Sequence, residues 1–247
     1  MSNNTIMKFG LIGKSIEHSF SPIYFNNKFK KQRISATYER LPLNDISEFD
    51  TKIDKNLFKG FNVTIPYKTQ IISYLDRLSE GASRIGAVNT IAMEHNQLVG
   101  YNTDAIGFET SLLELIEDVQ NIRGAIVLGN GGAAKAVFYI LESLGIPYLI
   151  ISRSGIHDYK WLNLHGFGDY NLIINTTPLG MFPHVDACPD IPYHTLNEKF
   201  FLFDLIYNPK ESLFLSFGKQ HGARTQNGLK MLEYQAEAAW TIWNRIE

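Results

Sequence analysis

The chain has 247 residues, 45% hydrophobic and 19% charged, with a formal net charge of −2. That balance is ordinary for a globular protein of one or two domains, and it lacks the basic excess of a nucleic-acid binder. A single cysteine, Cys188, excludes an internal disulfide and a cysteine-based zinc site, and it fits a reducing compartment. The seven histidines show no metal-ligand spacing, so no metal is expected. No apolar run approaches the roughly 18 residues of a membrane span. The opening Met-Ser-Asn-Asn-Thr lacks a signal-peptide pattern. The expectation is a soluble cytoplasmic protein with a small-molecule substrate and with neither membrane nor nucleic acid as partner.

Lys8 to Gly13 reads as a first strand ending in glycine. Ser21-Pro22 then opens a helix, with Ser21 as N-cap and Pro22 at the first helical position. Ala36 to Leu41 and Gly60 to Thr64 read as the next two strands, and Pro66 starts a helix carrying Ile71, Ile72 and Leu75. Thr90–Glu94 and Gln97–Tyr101 form the arms of a hairpin turning at His95-Asn96. An amphipathic helix follows from Thr103, carrying Ile106, Phe108, Leu112, Leu113, Leu115 and Ile116. Ala125 to Leu128 is a strand, and the helix after it ends at Gly145. Tyr148–Ile151, Leu172–Ile174 and Phe201–Phe203 are further strands, and Gly228 to Glu247 is one final helix. Strands alternating with helices give an α/β class with parallel pairing.

Gly129-Asn130-Gly131-Gly132-Ala133-Ala134 stands between a strand and a helix, the context a dinucleotide fingerprint requires. The first glycine allows a tight turn, the second allows close approach of a pyrophosphate, and Ala134 lets helix pack on strand. The helix N-terminus offers free N–H groups to the phosphates. After the next strand come Ser152-Arg153-Ser154 rather than an acidic residue. Arginine flanked by hydroxyls suits a ribose 2′-phosphate, which favours NADP over NAD.

Polar clusters recur where strands end: His18-Ser19-Phe20-Ser21-Pro22, Asn62-Val63-Thr64-Ile65-Pro66-Tyr67-Lys68, Gly86-Ala87-Val88-Asn89-Thr90 and Gly100-Tyr101-Asn102-Thr103-Asp104. Each alone reads as helix capping. Later come Asn175-Thr176-Thr177-Pro178-Leu179-Gly180-Met181, Asp204-Leu205-Ile206-Tyr207-Asn208-Pro209 and Asn227-Gly228-Leu229-Lys230-Met231-Leu232 with Gln235. Together, in this order and around the glycine fingerprint, they resemble the shikimate dehydrogenase family from about Phe9 to Trp243.

The resemblance implies reversible reduction of 3-dehydroshikimate to shikimate by NADPH, in aromatic amino-acid biosynthesis. It implies an N-terminal substrate domain with a mixed sheet, residues 1–104, to which the C-terminal helix, 228–247, returns. A Rossmann-like NADP-binding domain, 105–227, lies between them in sequence. It carries Lys68 and Asp104 over as catalytic residues. Ser19 and Ser21 match the serines that bind the substrate carboxylate, and Thr64, Asn89, Asp104, Tyr207 and Gln235 match further substrate contacts. Gly129, Asn130, Gly131, Gly132, Ala133, Ser152, Arg153, Leu205 and Gly228 match the cofactor site. The assembly expected is a monomer or homodimer.

Lysine suits the chemistry, because hydride transfer to a ring ketone builds an alkoxide that needs a proton. Gln235 lies one helical turn from Met231 and Leu232, so a buried partner is expected for it. The stretch from Arg153 to Asn175 is short for this family and leaves little room for the usual helix and extra strand. The nearest second basic groups are His157 and Lys160. A quinate or dual quinate/shikimate dehydrogenase is the nearest alternative, disfavoured by the serine pair. A non-catalytic metabolite-binding protein on the same fold is disfavoured by Lys68 and Asp104.

Overall fold

The computed structural model describes residues 6–245. In chain order it runs β1 (Met7–Gly13), α1 (Phe20–Gln32), β2 (Ala36–Pro42), α2 (Glu48–Lys52), β3 (Gly60–Val63), β4 (Arg77–Leu78), α3 (Glu80–Ile85), β5 (Thr90–Glu94), β6 (Gln97–Tyr101) and α4 (Thr103–Ile116). It continues with β7 (Ala125–Leu128), α5 (Gly132–Ser143), β8 (Tyr148–Ile151), α6 (Tyr159–His165), β9 (Leu172–Asn175), β10 (Phe201–Asp204), α7 (Leu213–Gln220), β11 (Arg224–Gln226) and α8 (Leu229–Asn244). Contacts divide the chain into two compact units. One holds the chain up to Thr103 together with the segment from Ala236, and the other is Asp104–Gln235.

The first unit is built on a mixed sheet of order β2-β1-β3-β5-β6-β4. β1 runs parallel to β2 and β3, while β5 is antiparallel to β3 and β6. Because side chains alternate along a strand, each face has its own core. Ile12, Phe61, Val63 and Ile91 bury one face with Phe49, Tyr67 and Ile71. Phe9, Leu11, Tyr38 and Ala92 bury the other against Phe25 and Phe29 of α1 and Ala236, Ala239 and Trp243 of α8. Trp243 stacks on Phe9 at 4.7 Å between ring centroids, and its indole N–H donates to the Ile91 carbonyl. Gly60 makes room for it, since a Cβ there would stand 2.2 Å from the indole nitrogen. The hairpin turns at His95 and Asn96, both at positive φ, as the sequence predicts.

Two local readings change. The N-cap of α1 is Ser19, with extended backbone, and the helix starts at Phe20, so Ser21 is not the cap and Pro22 is the third helical residue. The segment after β3 is a turn followed by a 3₁₀ helix, Gln70–Tyr74, rather than an α-helix from Pro66. Tertiary ties shape it. The Tyr67 hydroxyl donates to the Leu43 carbonyl at 2.8 Å, and the Lys68 carbonyl accepts from Val88 N at 2.7 Å. Of the final helix, 246 and 247 lie outside the described residues.

The second unit is a parallel sheet of order β11-β10-β9-β7-β8. Counted from β7 this is 2-1-3-4-5, so the order reverses at β7 and β9, where open α/β sheets bind ligands. All four residues of β7, β9 and β10 are buried, as a sheet covered on both faces requires. A short helix, α6, does fit in the stretch after Arg153, capped by the Asp158 carboxylate on Trp161 N. Among the described residues this sheet has five strands, so the extra strand is missing there.

Candidate active site

Sheet order explains why the polar clusters of the first unit converge. β1, β3 and β6 end at one edge of the sheet, and the antiparallel β5 begins there. Ser19 and Ser21 follow β1, Thr64 and Lys68 follow β3, Asn89 precedes β5, and Asn102 and Thr103 follow β6. Gly13 permits the approach of the first two groups, because a Cβ there would meet Thr64 Cγ2 at 2.6 Å. Ile16 O accepts from Ser19 N at 3.2 Å and from Arg40 Nε at 3.2 Å, which fixes the turn that carries the serines. Ser19, Ser21, Thr64 and Lys68 are half-buried.

Behind these groups lies a buried polar chain. The Tyr38 hydroxyl donates to Asn62 Oδ1 at 2.7 Å. Asn62 Nδ2 donates to the Asn89 carbonyl at 3.1 Å and to Thr90 Oγ1 at 3.0 Å. Thr90 Oγ1 and Thr103 Oγ1 are 3.0 Å apart. Asn89 Nδ2 donates to Thr103 Oγ1 at 2.9 Å, while Asn89 Oδ1 accepts from Thr103 N at 2.6 Å and so caps α4. Burial pushes the Tyr38 hydroxyl well above its ordinary value, so Tyr38 stays a neutral donor.

In the second unit the glycine loop leaves β7 and enters α5. Gly129 has φ +107°, and a Cβ there would stand 2.6 Å from Thr176 Oγ1, so glycine is required. Gly131 is the N-cap of α5 and makes no side-chain cap bond. Nothing lies within 4 Å of a Cβ built at Gly131 or Gly132. Exposed N–H groups, the positive end of a 12-residue helix and open space above two glycines fit a dinucleotide pyrophosphate. Ala134 is fully buried, packing α5 onto the sheet. Asn130, Ala133 and Arg153 differ little in setting: Ala133 is exposed, Asn130 and Arg153 lie at the surface of their loops, and Arg153 stands near enough to Tyr159 to oppose the upward push of burial on its hydroxyl. Ser152 N donates to His157 O at 3.1 Å, closing the loop beside it.

Two further loops of this unit are tied to one carboxylate. Asp204, fully buried, accepts from Ser212 Oγ at 2.5 Å, Asn175 Nδ2 at 3.0 Å and Ile206 N at 3.0 Å. Burial raises its carboxyl to about 6, against the pull of those donors. Leu205 and Gly228 touch through backbone, since a Cβ on Gly228 would stand 2.2 Å from Leu205 O. Tyr207, two residues on, is 37% exposed. Gln235 is buried on α8, its amide donating to Leu232 O at 2.9 Å. Gly107 of α4 lets α8 approach beside it, a Cβ there lying 2.9 Å from Gln235 N. Asp104, half-buried, is the second residue of α4.

Residues 11–91 match the family described as the shikimate dehydrogenase substrate binding domain. A shikimate dehydrogenase (NADP(+)) of Caldanaerobacter subterraneus subsp. tengcongensis is 38% identical, covering 98% of this chain and 92% of the relative. The shikimate dehydrogenase structure from Aquifex aeolicus superposes with a TM-score of 0.87 at 32% identity, covering 100% of this chain and 96% of that one. This chain belongs to the shikimate dehydrogenase family. The shikimate 5-dehydrogenase of Thermus thermophilus, solved with NADP(H) and shikimate, superposes with a TM-score of 0.84 at 29% identity, covering 97% of this chain and 94% of that chain.

Family membership agrees with the α/β architecture of the two units, one sheet mixed and one parallel. Within the first unit the structure brings Asn89 and the residues around it into one hydrogen-bonded set. The sequence reading gives Tyr38, Asn62, Thr90 and Thr103 no role of their own, yet they join that set. Asn62 offers a signal: a polar residue inside the buried strand Gly60–Val63 demands partners. Asp204, at the buried end of β10, offers the same one.

Proposed function

We propose that this chain catalyses the reversible, NADP-linked reduction of 3-dehydroshikimate to shikimate, a step serving aromatic amino-acid biosynthesis. The observation that carries the reading is the convergence of Ser19, Ser21, Thr64, Lys68 and Asn89 at one edge of the first sheet, in a family member matched over nearly its full length. The first unit is the substrate-binding domain and the second the NADP-binding domain. NADPH, when bound, supplies the hydride, and NADP⁺ takes it back.

Ser19 and Ser21 donate hydrogen bonds to the substrate carboxylate. Two neutral hydroxyls hold that anion without placing a second cation in competition with Lys68. Thr64 and Asn89 hold ring hydroxyls. Lys68 gives a proton to the oxygen that becomes the new hydroxyl, and in the reverse direction its neutral form takes it. Asp104, Tyr207 and Gln235 are further substrate contacts. Gly129 to Ala133 would hold the pyrophosphate, Leu205 and Gly228 would contact the cofactor, and Ser152 and Arg153 would bind the 2′-phosphate by charge-assisted hydrogen bonds.

Calorimetric titration of a Ser19→Ala, Ser21→Ala double variant tests the substrate assignment. Each lost hydrogen bond to a charged group is worth roughly 1.5–3 kcal/mol, so shikimate affinity falls by at least about a hundredfold. NADP⁺ affinity stays unchanged. The melting temperature also holds, because Ser19 makes no side-chain cap bond and Ser21 is not the cap of α1. A folded double variant that binds shikimate like the wild type contradicts the assignment.

A further inference from the structure

Asn62 and Thr90 stand directly opposite each other on the antiparallel strands β3 and β5, so their side chains share one face of the sheet. Hydrogen bonding fixes which way each amide points. The Asn89 carbonyl can only accept, so the amide nitrogen of Asn62 faces it at 3.1 Å, and the same nitrogen donates to Thr90 Oγ1 at 3.0 Å. The backbone N–H of Thr103 can only donate, so the atom of Asn89 that meets it at 2.6 Å is the carboxamide oxygen. Asn89 Nδ2 then donates to Thr103 Oγ1 at 2.9 Å. With Asn62 occupying one lone pair of Thr90 Oγ1, the Thr90 proton turns to the other side. There Asn89 Oδ1 lies at 3.2 Å and Thr103 Oγ1 at 3.0 Å. Thr103 Oγ1 is 3.2 Å from Asn89 Oδ1, so the three oxygens close a small triangle. Thr90 and Thr103 are fully buried.

We propose that Thr90 is a positioning residue for substrate binding: its buried hydroxyl, held by Asn62, locks the plane of the Asn89 carboxamide that meets the substrate. The proposal rests on the functional reading above, in which Asn89 holds a ring hydroxyl. The terminal torsion of an asparagine is broad, so a carboxamide held at one point is soft. The Thr103 N–H decides which end of the Asn89 amide faces α4, but one bond leaves the plane able to turn about it. The hydroxyls of Thr90 on β5 and Thr103 on α4 add contacts off that line, and the plane is fixed. Threonine suits the place, because its branched Cβ restricts χ1 and holds the hydroxyl still. Mutual polarisation within the closed set strengthens each of its bonds.

Steady-state kinetics and melting of Thr90→Val, Thr90→Ser, Asn89→Ala and Ile91→Val test this. Valine keeps the shape of threonine and loses the hydroxyl, whereas serine keeps the hydroxyl. The expected result for Thr90→Val is a rise of roughly tenfold in KM for shikimate, with the KM for NADP⁺ within about twofold. Thr90→Ser stays within about threefold of the wild type in both. Ile91→Val removes buried carbon from the same strand. It lowers the melting temperature and leaves the shikimate KM unchanged, so lost stability alone does not imitate the effect. In the Asn89→Ala background, Thr90→Val changes the shikimate KM by less than about twofold, since Thr90 acts through Asn89. An unchanged shikimate KM in Thr90→Val overturns the proposal. So does a rise that persists undiminished in the Asn89→Ala background, or one that Ile91→Val reproduces. A tenfold rise in Thr90→Ser overturns it as well, and that result decides even where valine prevents folding. Asn89→Ala with a wild-type shikimate KM, or a wild-type enzyme inert towards shikimate, would instead overturn the functional reading itself.

Discussion

Gly129 and Gly131 stand two residues apart in one loop, yet alanine at each should fail in a different way. At Gly129 the backbone has φ +107°, and an added Cβ would stand 2.6 Å from Thr176 Oγ1 and 3.0 Å from Thr177 Cγ2. Those threonines cannot withdraw freely. Thr176 N and Oγ1 both donate to Leu128 O, and Thr177 N and Oγ1 both donate to Asn175 Oδ1. Disfavoured backbone contributes about 1–3 kcal/mol of destabilisation, and overpacking a further 1–3 kcal/mol. At about 2–4 °C per kcal/mol for a chain of this size, Gly129→Ala should lower the melting temperature by about 10 °C. At Gly131 φ is −89°, and nothing lies within 4 Å of the added Cβ. Gly131→Ala should therefore melt within about 2 °C of the wild type. Its methyl fills the space a pyrophosphate needs, so the KM for NADP⁺ should rise roughly tenfold, the equivalent of about 1.4 kcal/mol. Differential scanning fluorimetry and cofactor titration separate the two effects. Wild-type NADP⁺ affinity in Gly131→Ala would refute the phosphate cradle, and wild-type melting in Gly129→Ala would refute the backbone argument.

Lys68→Ala should lower kcat by roughly 10²–10⁴-fold with shikimate binding largely intact; near-wild-type turnover would remove lysine from the chemistry. Arg153→Ala should raise the KM for NADP⁺ at least about tenfold more than that for NAD⁺, because only NADP⁺ carries the phosphate it pairs with. Equal losses would make Arg153 a support for the loop. Asp204 gives a pH signature. Its folded-state value, about 6, lies above the ordinary 3.8, so the ionised group opposes folding, and that opposition grows as pH rises through this interval. In urea denaturation the wild type should therefore gain roughly 1 kcal/mol on Asp204→Asn between pH 7 and pH 5, and parallel pH profiles would contradict the assignment.

The strands and long helices are legible because their apolar periods are strong. The run Ala125–Leu128 followed by glycines names a strand, a turn and a helix start at once. The departures come where tertiary contacts override local preference. Ser21-Pro22 reads as a helix start, but the helix begins one residue earlier, at Phe20, and the cap falls to Ser19. Pro66 reads as a helix start, but Tyr67 and Lys68 are tied to Leu43 and Val88, and a turn results. The proposed site residues are legible as motif positions. Their supports are not, because no local pattern shows that β2 brings Tyr38 to Asn62 on β3, 24 residues away.

Absorbance at 340 nm tests the central claim most directly, with the purified protein given shikimate or quinate and either NADP⁺ or NAD⁺. The account predicts rapid reduction of NADP⁺ with shikimate, slower reduction of NAD⁺, and little turnover of quinate. Absence of turnover with shikimate and either cofactor, in folded protein that binds NADP⁺, would contradict it.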